Sequence, residues 1–215
     1  MSDTAAAAPE TSAIAPLIRL RELTLRRGER VLMSQLSLDI LPGKLLLIEG
    51  ANGSGKTTLL RCLAGLSTLS QEGQVERNVG ELLYLGHRPG IKQLLTPREN
   101  LTWVCRCQGW DTSHIDAALG SVGLNGLEDR LCQQLSAGQQ RRVNLARLYL
   151  SRAEGTSRAL WLLDEPFTAI DRDGVSALAT TLSEQVACGG TVVLTSHQDM
   201  PLNTTLTRIS LGVSA

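Results

Sequence analysis

The amino-acid sequence predicts an α/β fold with a mainly parallel core sheet, an antiparallel β sub-domain and a helical sub-domain. Three short apolar segments are typical of strands that are buried on both faces of a parallel sheet: residues 44–49, 159–163 and 191–195. A glycine-rich loop separates the first of these strands from a helix predicted over residues 56–64. Segments 17–25 and 31–40 alternate apolar and polar residues instead, which predicts two antiparallel strands with one solvated face and a turn near Gly28.

The pattern changes between residues 91 and 136, where we expect the helical sub-domain. Thr96, Pro97 and Glu99 form a helix-start signal, because threonine caps the helix, proline suits its first turn and glutamate reaches back to the cap. Further helical segments are predicted at residues 113–121 and near Leu127. A strand at 81–85 and helices at 139–151 and 174–186 complete a single predicted domain over residues 17–215.

The composition suits one globular domain and argues against nucleic acid as a partner. The chain has 215 residues, 42% of them hydrophobic, and its 21 Lys and Arg residues balance 21 Asp and Glu residues. Binding to phosphate backbones needs clustered positive charge, so we expect no nucleic-acid partner. No apolar run reaches the length needed to cross a bilayer. Residues 1–16 lack the basic start and continuous apolar stretch of a signal peptide, which predicts a flexible tail.

The cysteines are predicted to be free thiols in a reducing compartment. Their spacing matches neither a zinc site nor a C-x-x-C pair, since Cys105 and Cys107 are separated by a single residue. The full set is Cys62, Cys105, Cys107, Cys132 and Cys188.

The glycine-rich loop has the pattern G-x-x-x-x-G-K-[ST], which is typical of phosphate binding. Glycines allow backbone N–H groups to surround phosphate oxygens, and the helix N-terminus adds the positive end of its dipole. We expect Lys56 to reach the β- and γ-phosphates and the Thr57 hydroxyl to ligate Mg²⁺. The alternative is a chance glycine turn, which the strand–loop–helix context disfavours. The predicted nucleotide-binding residues here are Gly50, Ala51, Asn52, Gly53, Ser54, Gly55, Lys56, Thr57 and Thr58.

Two acidic residues, Asp164 and Glu165, follow the predicted strand at 159–163. A carboxylate at the C-terminal end of a strand lies beside the phosphate loop in an open α/β sheet. Asp164 is suited to holding Mg²⁺, and Glu165 to polarising the attacking water. The alternative is an ordinary helix start, since Pro166 comes next. The phosphate loop upstream favours the catalytic interpretation.

The segment Leu-Ser-Ala-Gly-Gln at residues 135–139 resembles the signature of ABC ATPases. Ser136 and Gln139 also match an ordinary capping box, and both interpretations hold together, because a capped helix start exposes N–H groups that suit a γ-phosphate. The resemblance implies a P-loop NTPase fold of the ABC ATPase type, with ATP and Mg²⁺ as cofactors. It also implies that Ser136, Gly138 and Gln139 contact the ATP of a second copy, in a homodimer of cassettes that sandwiches two ATP molecules.

The same resemblance extends to other segments. Residues 168–171 are similar to the dimer-contacting loop of the family, and His197 to its switch histidine, which is expected to contact the γ-phosphate. The catalytic residues implied are thus Glu165, His197 and Lys56. Two positions depart from the family pattern. Arg26 and Arg27 stand where an aromatic residue usually stacks on adenine, and we expect the guanidinium of Arg27 to stack there instead.

The second departure is His87, at the place of a glutamine that couples the Mg²⁺ site to the membrane partner. We expect His87 to contact the Mg²⁺ or the water side of the site, directly or through a water molecule. Haem ligation and a solvated turn histidine remain as alternatives.

The segments 86–92, 135–142 and 164–171 together are similar to the ATP-binding subunits of cytochrome c maturation systems. This resemblance implies integral membrane subunits as partners, haem handling for c-type cytochromes, and a location at the cytoplasmic face of the bacterial inner membrane. Two alternatives remain open: an exporter ATPase for another cargo, and a soluble ABC ATPase that serves no transporter.

Overall fold

The computed structural model describes residues 14–67, 70–155, 158–196 and 204–211, and it contains two sheets. The strands in this part of the chain are β1 (Ile18–Arg27), β2 (Arg30–Ile40), β3 (Leu45–Glu49), β4 (Ser70–Arg77), β5 (Leu82–Leu85), β6 (Leu160–Asp164), β7 (Thr191–Thr195) and β8 (Leu206–Ser210). One sheet is antiparallel with the order β2-β1-β4, and the other is parallel with the order β5-β6-β7-β3-β8. The parallel sheet therefore places the C-terminal ends of β3, β5 and β6 along one edge.

The helices of the described chain are α1 (Lys56–Leu63), α2 (Pro97–Gln108), α3 (Ile115–Ser121), α4 (Ala137–Ala153) and α5 (Arg172–Ala187), with short 3₁₀ segments at Thr112–His114 and Cys132–Gln134. Three of the five described helices, α2, α4 and α5, begin at a side chain that caps them. At the start of α2, Thr96 Oγ1 accepts from the Glu99 N–H at 3.1 Å, and Glu99 Oε2 accepts from the Thr96 N–H at 2.8 Å. This is the capping box predicted from Thr96 and Glu99.

Three apolar clusters hold these elements together, and α4 contributes to two of them. Helix α1 packs between the antiparallel sheet and one face of the core sheet. On the opposite face, Trp161 of β6 packs with Leu148 of α4 and Leu182 of α5. The third cluster joins α2 and α3 to Val143 and Leu150 of α4. Because buried apolar area is the main source of stability, α4 is fixed to both the core sheet and the helical region.

The fold class predicted from the sequence is confirmed, with differences in three elements. Strands β4 and β8 were not predicted. Strand β4 is largely polar, with Val75 as its single apolar residue, and β8 lies at the sheet edge with an exposed middle, so neither shows a clear period. The prediction of a helical segment near Leu127 is wrong. Gly123 and Gly126 have φ of 70° and 79°, and this left-handed backbone breaks the helix into turns.

Two compositional predictions can also be compared with the structure. The five cysteines are free, as predicted. Among the described residues, no helix is long and apolar enough to cross a membrane. Residues 1–13 of the predicted N-terminal tail lie outside the described part of the chain. The extent of the single domain stays a prediction.

Candidate nucleotide site

The phosphate loop connects the end of β3 to the start of α1, as its sequence predicts. Gly53 and Gly55 have φ of 82° and 96°, in the left-handed region that favours glycine. At Gly50 an added Cβ would lie 2.6 Å from Ser54 Oγ, so this position has no room for a side chain. The loop therefore depends on its glycines to bring backbone close to the helix N-terminus, where an anion is stabilised.

Lys56 lies over this loop and is only 7% exposed. Its Nζ donates to Gly50 O at 2.7 Å and to Ala51 O at 3.0 Å. The ammonium group is thus held by loop carbonyls, within the segment whose N–H groups are suited to phosphate.

A cavity of about 290 Å³ lies on the outer side of the loop. The Nη2 atom of Arg27, at the end of β1, lies 3.4 Å from Thr58 Oγ1. A larger cavity of about 390 Å³ lies between α3, α4 and α5, and its lining includes no residue of the phosphate loop. The smaller of these two cavities adjoins the phosphate loop and is the candidate nucleotide cavity, with the lining residues Arg27, Leu32, Asn52, Gly53, Gly55, Lys56, Thr57, Thr58 and Glu165.

Two side-chain oxygens that are suited to ligating Mg²⁺ lie close together at the edge of this cavity. Thr57 Oγ1 donates to Asp164 Oδ2 at 2.8 Å. The Asp164 carboxylate is 1% exposed, and its Oδ1 accepts from Thr195 Oγ1 at 2.9 Å. Mg²⁺ is usually held by one or two protein oxygens together with waters and phosphates. The pair Thr57 and Asp164 fits this ligand set.

Glu165 extends from the end of β6 into the cavity lining, with an unusual backbone. Its φ is 50°, a left-handed value that is uncommon for a residue with a side chain. The Glu165 N–H donates to Thr195 Oγ1 at 2.9 Å, and Thr168 Oγ1 is 3.4 Å from Glu165 Oε2. Strained backbone of this kind persists only where neighbouring groups hold it, and it is often found at functional sites.

His87 lies beside Glu165, in the turn after β5. Its Nδ1 is 3.6 Å from Glu165 Oε2, and its side chain is 57% exposed. The structure therefore brings His87 next to Glu165, and its expected contact on the water side of the site stays a prediction. Whether it ligates Mg²⁺ stays a prediction, and oxygen ligands suit this ion better than an imidazole nitrogen.

The signature residues form the capped start of α4. Ser136 Oγ accepts from the Gln139 N–H at 3.2 Å, and Gln139 Oε1 accepts from the Ser136 N–H at 2.9 Å. At Gly138 an added Cβ would lie 3.0 Å from Ala169 O, so the helix start packs closely on the loop that follows Glu165. Among the described residues that line the nucleotide cavity, none is Ser136, Gly138 or Gln139.

Two residues that organise this site, Thr195 and Arg141, were not predicted from the sequence. Thr195, at the end of β7, joins Asp164 and Glu165 through its hydroxyl. Its signal was present, because it ends an apolar strand that the fold places next to β6. Arg141 in α4 is 4% exposed and donates to backbone carbonyls on both sides of the site. From the sequence, Arg141 could be predicted only as a residue of a helix. His197 lies outside the described residues.

Burial and charge change the pKa of two groups close to the acidic pair. Burial lowers the pKa of the Arg141 guanidinium, and the charges of Asp164 and Glu165 oppose that change. Burial also raises the pKa of Tyr84 on β5, and the negative charge of Asp164 raises it further. In both groups burial is the largest cause of the pKa change.

Comparison with known proteins defines the class of this chain. The family described as ABC transporter matches residues 33–168, which is more than half of the chain. A solved dimeric ATP-binding cassette, in a post-hydrolysis state bound to ADP and Pi, has the same fold: the TM-score is 0.70 at 24% identity, over 84% of this chain and 88% of that one. The chain therefore has an ABC ATPase domain, a type of domain that supports ATP hydrolysis.

Closer relatives define the group within this class. The chain is 50% identical over 196 residues to the cytochrome c biogenesis ATP-binding export protein CcmA of Yersinia pestis bv. Antiqua (strain Nepal516), covering 86% of this chain and 87% of that protein. It is 47% identical over 209 residues to the CcmA protein of Pseudomonas fluorescens (strain Pf0-1), covering 92% and 93%. The chain therefore belongs to the CcmA family of ABC transporter ATP-binding proteins.

Proposed function

We propose that this chain hydrolyses ATP to drive a membrane complex that handles haem for c-type cytochrome biogenesis. The observation that carries the proposal is the hydrogen bond between Thr57 and Asp164. Glu165 lines the same cavity as Thr57. This places a phosphate loop, an oxygen ligand pair and a candidate base at one edge of the sheet. That arrangement is suited to phosphoryl transfer to water.

Each side chain has a proposed task. The loop and Lys56 bind and orient the phosphates, and Thr57 and Asp164 would hold Mg²⁺. When bound, Mg²⁺ would offset negative charge on the β- and γ-phosphates. Glu165 accepts a hydrogen bond from the attacking water and orients it towards the γ-phosphate. His197 is proposed as a second contact to the γ-phosphate, and Arg27 as the group that stacks on adenine.

Two copies are proposed to complete each site. The N-terminus of α4 is suited to a γ-phosphate, since its first N–H groups have no partner inside the helix. Ser136, Gly138 and Gln139 do not line the nucleotide cavity of their own chain in its described part. This separation supports the proposal that they contact the ATP of a second copy. Hydrolysis would then loosen the sandwich and move the membrane partner.

An exposed apolar surface in the helical region is proposed to contact the membrane subunits. Leu94 is 73% exposed and Trp103 of α2 is 52% exposed. The Lys92 ammonium lies 4.9 Å from the centre of the Trp103 ring. Leu94 comes seven positions after His87, so a short segment of chain connects this region to the His87 turn. Contiguous exposed apolar patches mark interaction surfaces, and we propose that Leu94 and Trp103 belong to one.

The cargo and the location are inferred from the relatives. Their printed name specifies ATP binding, export and cytochrome c biogenesis. We therefore propose integral membrane subunits of a cytochrome c maturation complex as partners, haem as the group handled, and the cytoplasmic face of the bacterial inner membrane as the location.

Recovery of the complex from membranes tests this proposal. The tagged chain is purified in detergent, its partners are identified by mass spectrometry, and the absorption spectrum is recorded for haem. We expect integral membrane subunits together with a haem absorption band. A parallel purification of Leu94→Asp and Trp103→Asp variants should lose these subunits, while Leu66→Asp keeps them as a control, because Leu66 is 49% exposed at the far end of α1. Recovery of an unrelated exporter, or of no membrane protein, would contradict the proposal.

A further inference from the structure

Arg141 connects α4 to two segments of the site without itself lining the nucleotide cavity. It lies in the second turn of α4, five residues after Ser136, and is 4% exposed. Its Nη1 donates to Gly86 O at 3.0 Å and to His87 O at 2.8 Å. Its Nη2 donates to Asp164 O at 3.1 Å and to Glu165 O at 2.7 Å. One guanidinium therefore joins the turn after β5 to the end of β6.

The number of hydrogen bonds that this buried cation donates makes the arrangement specific for arginine. In the described part of the chain, the buried Nε of Arg141 has no hydrogen-bond partner. A buried cation is costly unless its donors are used, and here the two Nη atoms supply four hydrogen bonds to carbonyl oxygens. Lysine has a single nitrogen and glutamine a single amide, so neither can span both pairs of carbonyls.

The contact with Glu165 falls at its strained backbone. Glu165 has a φ of 50°, and both of its peptide groups are hydrogen-bonded: Thr195 Oγ1 accepts from its N–H at 2.9 Å, and Arg141 donates to its carbonyl at 2.7 Å. The direction of the Glu165 side chain follows from this backbone conformation. Loss of the Arg141 contact would let the peptide relax towards a commoner conformation and turn the carboxylate away.

We propose that Arg141 is a positioning residue for ATP hydrolysis. It holds the backbone of Glu165, and it holds the turn of His87 at a constant distance from Glu165. This inference depends on the proposed role of Glu165, and it adds a residue that acts only through others. Because α4 is packed into both the core sheet and the helical region, Arg141 is anchored on a rigid element.

The test compares Arg141→Gln and Arg141→Lys with a matched control on the same helix. Arg152→Gln makes the same chemical change at a surface ion pair, where Arg152 Nη1 is 2.7 Å from Glu184 Oε2. We expect Arg141→Gln to lower kcat by about 10- to 100-fold, since small misplacements of a reacting group have effects of this size, while the Kd for ATP changes by less than about twofold. Arg141→Lys keeps the charge and one pair of contacts, so its kcat should be intermediate. Arg152→Gln should match the wild type.

Hydrogen exchange and a double variant separate positioning from general stability. Amide exchange should accelerate at residues 86–88 and 165–168 in Arg141→Gln and stay unchanged in α5 and in β1. In the Glu165→Gln background, Arg141→Gln should lower the residual turnover no further, because both changes remove the same function. Near-native kcat in Arg141→Gln overturns the inference. Equal losses of kcat, ATP affinity and thermal stability in both Arg141 variants, or additive effects in the double variant, also overturn it.

The two proposals fail in different ways. If Glu165→Gln alone hydrolyses ATP at a near-native rate, the proposed role of Glu165 is wrong, whatever the Arg141 variants do. If Glu165→Gln is inactive while both Arg141 variants are near native, only the positioning inference is wrong.

Discussion

The Thr57 hydroxyl donates a 2.8 Å hydrogen bond to Asp164 Oδ2, although 107 positions separate the two residues in the chain. Thr57 is the second residue of helix α1, and Asp164 ends strand β6, which lies two strands away from β3 in the core sheet. The parallel arrangement of these strands brings loop and strand end together. The pair is therefore a preformed oxygen ligand set beside the phosphate loop.

Replacing Thr57 by valine should weaken the use of Mg²⁺ while it preserves the shape of the side chain. We expect the Mg²⁺ concentration for half-maximal ATPase activity to rise by about tenfold or more, because one of two protein oxygens is lost. A Mg²⁺ titration at saturating ATP measures this. Thr180→Val, on the exposed face of α5, is the matched control. An unchanged titration curve for Thr57→Val would show that Thr57 is not a ligand.

Lys56→Ala should abolish tight nucleotide binding. Lys56 provides the ammonium group that is already held at the loop by Gly50 O and Ala51 O, and its loss leaves the β- and γ-phosphates without this cation. We expect the Kd for ATP to rise by at least about tenfold, measured by calorimetry. Wild-type affinity in this variant would show that the phosphate loop is assigned wrongly.

Glu165→Gln should retain ATP binding and lose hydrolysis, with turnover reduced by about 100-fold or more. The amide keeps the shape of the side chain but has no negative charge with which to polarise water. An ATP-bound dimer should then accumulate, which size-exclusion chromatography with and without Mg-ATP detects. A monomer under both conditions, with binding confirmed, contradicts the sandwich arrangement for the isolated subunit.

Ser136→Arg should impair hydrolysis without weakening ATP binding to a monomer, because Ser136 is proposed to act on the nucleotide of the other copy. The structure requires one control, since Ser136 also caps α4. Ser136→Ala removes the cap alone, which costs about 1 kcal/mol of stability. Mixed with Lys56→Ala protein, Ser136→Arg should recover part of the activity, because each mixed dimer keeps one intact site. No recovery in proven mixed dimers would argue against shared sites, or for sites that must act together.

His87→Gln should retain more partner-stimulated ATPase activity than His87→Ala, with ATP binding unchanged in both. His87 Nδ1 lies 3.6 Å from Glu165 Oε2, so a glutamine amide can take over a contact on the water side of the site that alanine cannot. The yield of c-type cytochromes provides a second measurement. Equal and near-native activity in both variants would leave His87 as an ordinary turn residue.

Local sequence patterns were sufficient for most of the fold. The glycine loop, the buried strands and the capped helix starts each rest on a few neighbouring residues, and all of these appear in the structure. The failures occurred where local signals were weak or misleading. The polar strand β4 is stabilised by pairing with β1, and the glycines around Leu127 acted as helix breakers.

The phosphate loop, the acidic pair and the signature segment can be predicted from the amino-acid sequence, because each is a contiguous pattern with its own chemistry. The way in which these segments are held against each other depends on the folded chain. Arg141 contacts residues 54 and 55 positions earlier and 23 and 24 positions later, through backbone carbonyls that any residue would supply. Because these hydrogen bonds are accepted by the backbone, the side-chain types of the contacted residues do not reveal them. They arise because β5, β6 and α4 pack together, and packing depends on the whole chain.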